Sequence, residues 1–593
     1  MDFLAIRQRG QAIQEKTRAR LTDRHSWKLP KQTSSIAPPH VWTNADQDPV
    51  PEDQRTWTKW AFIGYWYSDL VTISTWTAAS AIMTTGLTAT DAVLIVFVAA
   101  ICNAIPTVLN GAIGADLHIP FPIACRASYG YWLSYFCVAT RAVLALFWFG
   151  VQSANGGTCV TAILTSIWPS YARLPNALPR SAGTTSQGLL SYFVYWCIQF
   201  PLLLIPSHRL QYLFWTKTAL VTPMALAMVV WITVRAGGQG DFFYAPATVS
   251  GSARAWLWLS NLTSVTGGYS TLAVNIPDFS RFSRTRGAQL WQLPFIPLFK
   301  TLVGICGIVS ASASAQVYGA TYWSPLEIIA AWQSPPTPGG RAAAFFAASL
   351  WLLAQISVNV SANAVSFAND AASLAPKWLS IRRGVVLVAL LGGWALCPWI
   401  IVSSAASFLA FMSAYAIFMA PIAGVLVCDY WVVKRRRYDV PALYDPGGIY
   451  SYRGGFGGRA VGVNWRALVT TLAVIVPLLP ALAQKVAPQS VRIGQGLVNL
   501  FAFNWLYGFF VSFVLYYALN YFFPDRDTLI PCVVLGDRGA VLQAAGADDD
   551  DDVESGGGGD GGGDGGGDVE RGIAQNEKKE EESVKKAKVM EEV

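Results

Sequence analysis

Residues 146–157 read LFWFGVQSANGG, inside a run too apolar and aromatic to be anything but a membrane helix. The spacing places Trp148, Gln152 and Asn155 at i, i+4 and i+7, along one helical face. A ring plane beside amide groups suits a flat, polar, uncharged ligand. The π-face contributes about 0.5–1.5 kcal/mol beyond area burial, and an amide can hydrogen-bond the edge of a heterocycle. A second polar surface lies in residues 354–370, AQISVNVSANAVSFAND, where Asn359, Asn363, Ser366 and Asp370 follow a 4, 3, 4 spacing. Ionised groups at mid-bilayer cost about 2.5–3.5 kcal/mol, so this stripe faces a cavity or a partner helix, not lipid. Interhelical hydrogen bonding accounts for such a stripe, while two Asn one turn apart, opposite a Trp and a Gln, favour a binding role for at least one.

Four further charges stand out. Asp69 lies in the first apolar run, and Asp278 follows Pro277 where the sixth run ends. Both are candidates for coupling or gating, Asp278 as a gate ion pair with Arg281, against the ordinary reading of a surface pair contributing about 0–1 kcal/mol. Arg141 and Lys217 open the third and fifth runs, and the common use of a basic residue there is to snorkel to an interface. Lys217 and Asp370 join the candidates for carrying a proton.

These side chains need a helical membrane scaffold. Of the 593 residues, 53% are hydrophobic and 13% charged, and the apolar ones come as long runs. The runs lie near 60–84, 91–111, 135–165, 189–206, 213–234, 255–276, 293–318, 343–369, 384–404, 406–428, 467–484 and 500–523. About 20 residues span a bilayer, so about twelve transmembrane helices are expected. With the N-terminus inside, Arg281, Arg284, Arg286, Lys377, Arg382, Arg383 and Lys434 to Arg437 fall on the cytoplasmic side, in keeping with the positive-inside bias. An even count returns the C-terminus to that side.

The expected organisation is a cytoplasmic N-terminal tail, 1–57, loosely structured apart from one short amphipathic helix near 3–20. A transport core, 58–428, is followed by a cytoplasmic loop, 429–466, the last two transmembrane helices, 467–525, and a cytoplasmic tail, 526–593. Residues 547–593, with Asp and Gly runs and then mixed Lys and Glu, are expected to be disordered. Two runs carry polar interruptions five helices apart, Ser68–Thr75 and Thr263–Thr271. Matched interruptions of this kind point to an inverted repeat with broken first and sixth helices around a midplane site.

Several function classes lack support. The net charge of +7 resides in short loops and the N-terminal tail, which orientation explains better than nucleic acid. The nine Cys show no C-x-x-C spacing, and the four His form no H-E-x-x-H, so neither a metal nor a disulfide framework is indicated. No G-x-S-x-G or Walker motif appears, so the chain is not read as an enzyme, and no cofactor is expected. Residues 1–57 contain no signal-peptide core.

The phrases His118-Ile-Pro-Phe-Pro122, Trp148-Phe-Gly-Val-Gln152, Ile167-Trp-Pro-Ser170, Asn275-Ile-Pro-Asp-Phe-Ser-Arg-Phe282, Ser361-Ala-Asn363 and Ile381-Arg-Arg-Gly384 resemble the nucleobase-cation symporter family, over roughly residues 44–525. The resemblance is to its fungal uracil, uridine and allantoin permease branch. It implies an all-α, LeuT-like five-plus-five fold followed by two helices. It implies a substrate ring held between Trp148 and Tyr269, the latter preceded by Gly268, with Gln152 and Asn363 at the ring edge. Tyr269 stands where bacterial relatives carry a second Trp. The sodium ligands of such relatives on the eighth helix correspond to Ala354, Ser357 and Val358. Valine has no oxygen to offer a cation, so proton symport is expected over sodium.

The resulting expectation is a plasma-membrane secondary transporter importing uracil, or else uridine or allantoin. Its partners are the small heterocycle, a proton and the lipid bilayer. The alternative is a transporter-like receptor or scaffold that signals through its C-terminal tail.

Overall fold

The computed structural model describes residues 27–205, 210–452 and 462–535. The amphipathic helix expected near 3–20 and the tail 547–593 lie outside them. The described chain is helical, with β-pairing limited to two isolated bridges, Trp57 with Ser283 and Asp439 with Val534. The helices are α1 (Lys59–Leu70), α2 (Ile73–Ser80), α3 (Ala89–Leu117), α4 (Phe121–Tyr129), α5 (Ser134–Ile167), α6 (Ser186–Leu203), α7 (Leu210–Ala236), α8 (Gly251–Gly267), α9 (Ser270–Asn275) and α10 (Pro277–Ser280). They continue as α11 (Gln292–Tyr318), α12 (Pro325–Ala331), α13 (Pro338–Val358), α14 (Ser366–Leu374), α15 (Ile381–Leu390), α16 (Ala405–Cys428), α17 (Trp465–Ile475), α18 (Leu479–Val486), α19 (Gln495–Ala502) and α20 (Asn504–Phe522).

Eight stretches among the described residues are helices long and apolar enough to cross a membrane. The first, sixth and ninth of the expected runs fall on short or interrupted helices instead, and the fourth on the 18-residue, less apolar α6. Leu94, Phe97 and Ile105 on α3, Val230 and Val234 on α7, and Phe510 and Val514 on α20 are exposed, as befits faces solvated by acyl chains. Inside, α3 packs on α11, α5 on α13, and α16 on both α8 and α20. Small residues permit the closest approaches: a Cβ on Gly267 would stand 2.1 Å from the Met412 carbonyl oxygen of α16.

Two interruptions organise the centre. The first helix stops at Leu70, Val71 and Thr72 leave helical geometry, and the Thr72 side chain accepts from the Thr75 amide to start α2. The sixth stops at Gly267 and restarts at Ser270 after Gly268 and Tyr269. A third irregularity is the π-helical turn Asn359–Val365 between α13 and α14. Such turns recur at functional sites because the extra residue rotates one side chain out of register.

The segment 27–57 is not loose. Val50 N donates to His118 O (3.0 Å), Trp57 N to Phe282 O (2.8 Å) and Leu29 N to Lys377 O (2.9 Å). Gln47, buried, donates to Asn369 O (3.2 Å) and accepts from Tyr444 at its carbonyl (2.6 Å). Composition suggests a solvated tail, but these hydrogen bonds to residues near helix ends tie the segment down. The same end of the bundle holds a buried cluster in which Asp429 pairs with Lys434 (2.6 Å) and accepts from Ser128, Tyr438 and Tyr516.

Candidate functional site

A helix that stops inside a membrane leaves carbonyls without partners, and these two breaks satisfy them with basic side chains from neighbouring helices. At the first, Lys217 of α7 is fully buried and donates to Ser68 O, with Asp69 as its opposing charge. At the second, Lys300 of α11 donates to Val265 O (3.1 Å) and Asn103 Oδ1 (2.8 Å). Asn103 in turn donates to Thr266 O (2.8 Å). The Lys300 ammonium also lies 4.6 Å from the centroid of the Tyr269 ring, a cation–π arrangement.

Between the breaks lies a cavity of about 50 Å³, room for a few waters. Trp148 and Gln152 of α5, Gly268 and Tyr269 of the second break, and Asn363 of the π turn all line it, as do Asp69, Ser74 and Thr75. Asn155, on the same α5 face, does not.

Each wall is braced. Trp148 Nε1 donates to Tyr415 Oη (3.0 Å), and Tyr415 donates to Gly267 O (2.6 Å), which links α5 to the second break through α16. Gln152 Oε1 accepts from Ser74 Oγ (3.2 Å), leaving its amide NH₂ free for another partner. Asn363 donates to Asn359 Oδ1 (2.9 Å). Asn359 is itself fixed by Phe149 O (3.1 Å), Ser153 Oγ (3.0 Å) and Gln199 Oε1 (2.9 Å). Of the polar stripe, then, Asn359 is the brace and Asn363 the side chain that reaches the cavity. Tyr269 Oη bonds Thr75 Oγ1 (2.5 Å), joining the two breaks directly.

The remaining expected site residues fall elsewhere. Asp370 forms a buried ion pair with Arg141, whose Nε lies 2.5 Å from Oδ2 and whose Nη2 donates to Ser366 O (2.5 Å). Arg141 therefore does not snorkel: Asp370 offers a charge within reach, and the ion pair removes the reason to seek water. Lys217 does not snorkel either, because the broken helix supplies a carbonyl inside. Asp278 and Arg281 form no direct ion pair. Its Oδ1 accepts from the Phe121 amide (2.9 Å) at the start of α4, and its Oδ2 from Asn275 (3.3 Å), while Arg281 donates to Asp46 O (2.8 Å). An N-terminal amide draws a carboxylate where the guanidinium already has a carbonyl.

Ala354 and Ser357 are fully buried on α13, and among the described residues Ser357 Oγ has no hydrogen-bond partner. Val358 lines the cavity. Sequence reasoning passed over Lys300, Asn103 and Tyr415. Lys300 carries a clear signal, a lone ammonium in an apolar run. Tyr415 carries none, being one aromatic among many.

Comparison with known proteins identifies the family and the fold. Residues 49–508 match the family described as permease for cytosine/purines, uracil, thiamine, allantoin. The allantoin permease of Saccharomyces cerevisiae is 32% identical, with 82% of this chain and 76% of that protein covered. The uracil permease of the same organism is also 32% identical, covering 81% and 76%. An uncharacterised permease of Schizosaccharomyces pombe is 36% identical, covering 82% and 85%. Among solved structures, Mhp1, a nucleobase-cation-symport-1 family transporter in a closed conformation with bromovinylhydantoin bound, superposes with a TM-score of 0.64 at 21% identity. That alignment covers 82% of this chain and 97% of Mhp1. The fold is accordingly the all-helical, LeuT-like one, and the chain is a permease embedded in a membrane, not an enzyme. It belongs to the nucleobase-cation symporter family.

Proposed function

We propose that the chain imports a neutral carbonyl-bearing heterocycle, uracil first and uridine or allantoin next, by proton symport across the plasma membrane with both termini in the cytoplasm. The observation that carries this reading is the convergence on one cavity of a Trp plane, a Tyr plane and two amides from three separate elements. The rings take the faces of a flat substrate, and Gln152 and Asn363 take its edge. The names of the relatives, allantoin permease and uracil permease, support the substrate class.

Proton coupling rests on the first break. An ammonium, Lys217, already occupies a carbonyl there, Asp69 faces it, and Val358 supplies no oxygen for a metal cation. A proton taken up by Asp69 from the outer solution raises the net charge at the end of α1 by one, and this biases the outward- against the inward-open arrangement. The gradient supplies about 1.4 kcal/mol per pH unit and roughly 2.3 kcal/mol per 100 mV for each charge moved. Labelled uracil, uridine and allantoin uptake in a permease-null host, with and without a protonophore, tests both parts. Saturable uptake of one of them that collapses with the protonophore is expected. Uptake indifferent to pH and protonophore would remove proton coupling, and no saturable uptake by surface-localised chain would remove the substrate reading.

A further inference from the structure

Three charged side chains line the cavity: Asp69, Arg141 and Lys300. Two are compensated. Arg141 is ion-paired with Asp370, and Asp69 lies within electrostatic reach of Lys217 without a direct ion pair. Lys300 is not: its partners among the described residues are an amide oxygen, a backbone carbonyl and the Tyr269 ring, all neutral. Whenever Lys300 is protonated, the cavity therefore carries an excess positive charge beside the Tyr269 ring.

An ammonium has three donors, and two are used here. The third hydrogen and the uncompensated charge favour a ligand whose carbonyl oxygens come near the Tyr269 edge. Burial strengthens both effects, because the field of a desolvated charge is screened far less than in water. The same field opposes any heterocycle bearing a permanent positive charge, such as a thiazolium, whatever its shape. We propose that Lys300 sets the charge class of the cargo, admitting neutral or anionic carbonyl-bearing rings and excluding cationic ones of similar size. The inference rests on the reading of this cavity as the transport site.

The test is competition against labelled uracil uptake, or against allantoin if the wild type carries that instead, with uracil, orotate and thiamine as neutral, anionic and cationic competitors. Ratios of inhibition constants cancel differences in surface expression. The wild type is expected to be inhibited by uracil and orotate but not by thiamine. Lys300→Met should weaken uracil inhibition about tenfold or more, the usual worth of a bond to a charged group, and let thiamine compete; Lys300→Arg should keep the wild-type order. Asn103→Asp, which keeps Lys300 but sets a carboxylate 2.8 Å from its nitrogen, should reproduce the Met result and covers the case in which Lys300→Met does not fold. Unchanged uracil-to-thiamine ratios in the variants that reach the surface, or a wild type that takes thiamine as readily as uracil, overturns the role of Lys300 alone. A surface-localised wild type with no saturable heterocycle uptake overturns the transport reading and this inference with it.

Discussion

The two helix breaks solve one problem with different chemistry. Each leaves carbonyls stranded in the membrane and each recruits a lysine from a neighbouring helix, Lys217 to Ser68 O and Lys300 to Val265 O. At the first break a carboxylate, Asp69, stands opposite the ammonium. At the second its place is taken by an amide and an aromatic ring. A lysine beside a carboxylate is held as an ammonium while its partner can take up a proton from solution; one facing neutral groups projects its charge whenever it is protonated. The first arrangement suits energy coupling and the second suits sorting of cargo.

The comparison is broken most forcefully at Lys217. Lys217→Met strips the partner from Asp69 and Ser68 O, and an uncompensated buried charge costs about 3–5 kcal/mol. A drop of many degrees in melting temperature and loss of concentrative uptake are expected. The double variant Lys217→Met with Asp69→Asn should regain most of the stability and carry substrate only down its gradient, a result read by thermal unfolding and protonophore-insensitive uptake. A double variant as unstable as the single one contradicts the pairing. Lys300→Met leaves no carboxylate behind, so its effect on melting should be the smaller.

Next in size is the ring edge. Gln152→Ala or Asn363→Ala removes an amide from the cavity, and a hydrogen bond of about 0.5–1.5 kcal/mol corresponds to a rise in KM for uptake of about twofold to tenfold. Equal KM values in variant and wild type would show that the amides do not touch substrate. Asn155→Ala, off the cavity, should leave KM unchanged.

A glycine pair sharpens the contrast at smaller scale. Gly267→Ala drives a Cβ into the Met412 carbonyl, an overpacking worth about 1–3 kcal/mol, and should slow transport by prising α16 from the second break. Gly64, on the first broken helix, has no heavy atom within 4 Å of an added Cβ. Gly64→Ala should therefore be neutral to slightly stabilising, by about 0.4–1 kcal/mol, as thermal unfolding would report.

The breaks were legible because Ser, Thr and Gly cluster at Ser68–Thr75 and Thr263–Thr271, where apolar runs ought to continue. So were Trp148 and Gln152, since helical spacing alone puts them on one face. What spacing does not reveal is where a long basic side chain goes. Arg141 and Lys217 look like snorkelling residues until a partner 229 or 149 positions away is brought alongside by folding. The same holds for Asp278, whose neighbour in sequence, Arg281, is less available than the Phe121 amide contributed by a distant helix. Residues 27–57 misled in the opposite direction. Their polarity reads as solvation, yet the polar groups match helix ends that sequence inspection does not place nearby.

Tyr415 has one consequence beyond bracing. Its hydroxyl spends its proton on Gly267 O and its lone pair on Trp148 Nε1, so it reports on two walls at once. Swinging α16 away strands an indole N–H and a carbonyl together, whereas a substrate carbonyl or water arriving at Trp148 relieves half of that debt in advance. The hydroxyl thus acts as a latch whose release is cheaper when the cavity is occupied, and Tyr415→Phe should open it at all times, trading tight coupling for leak.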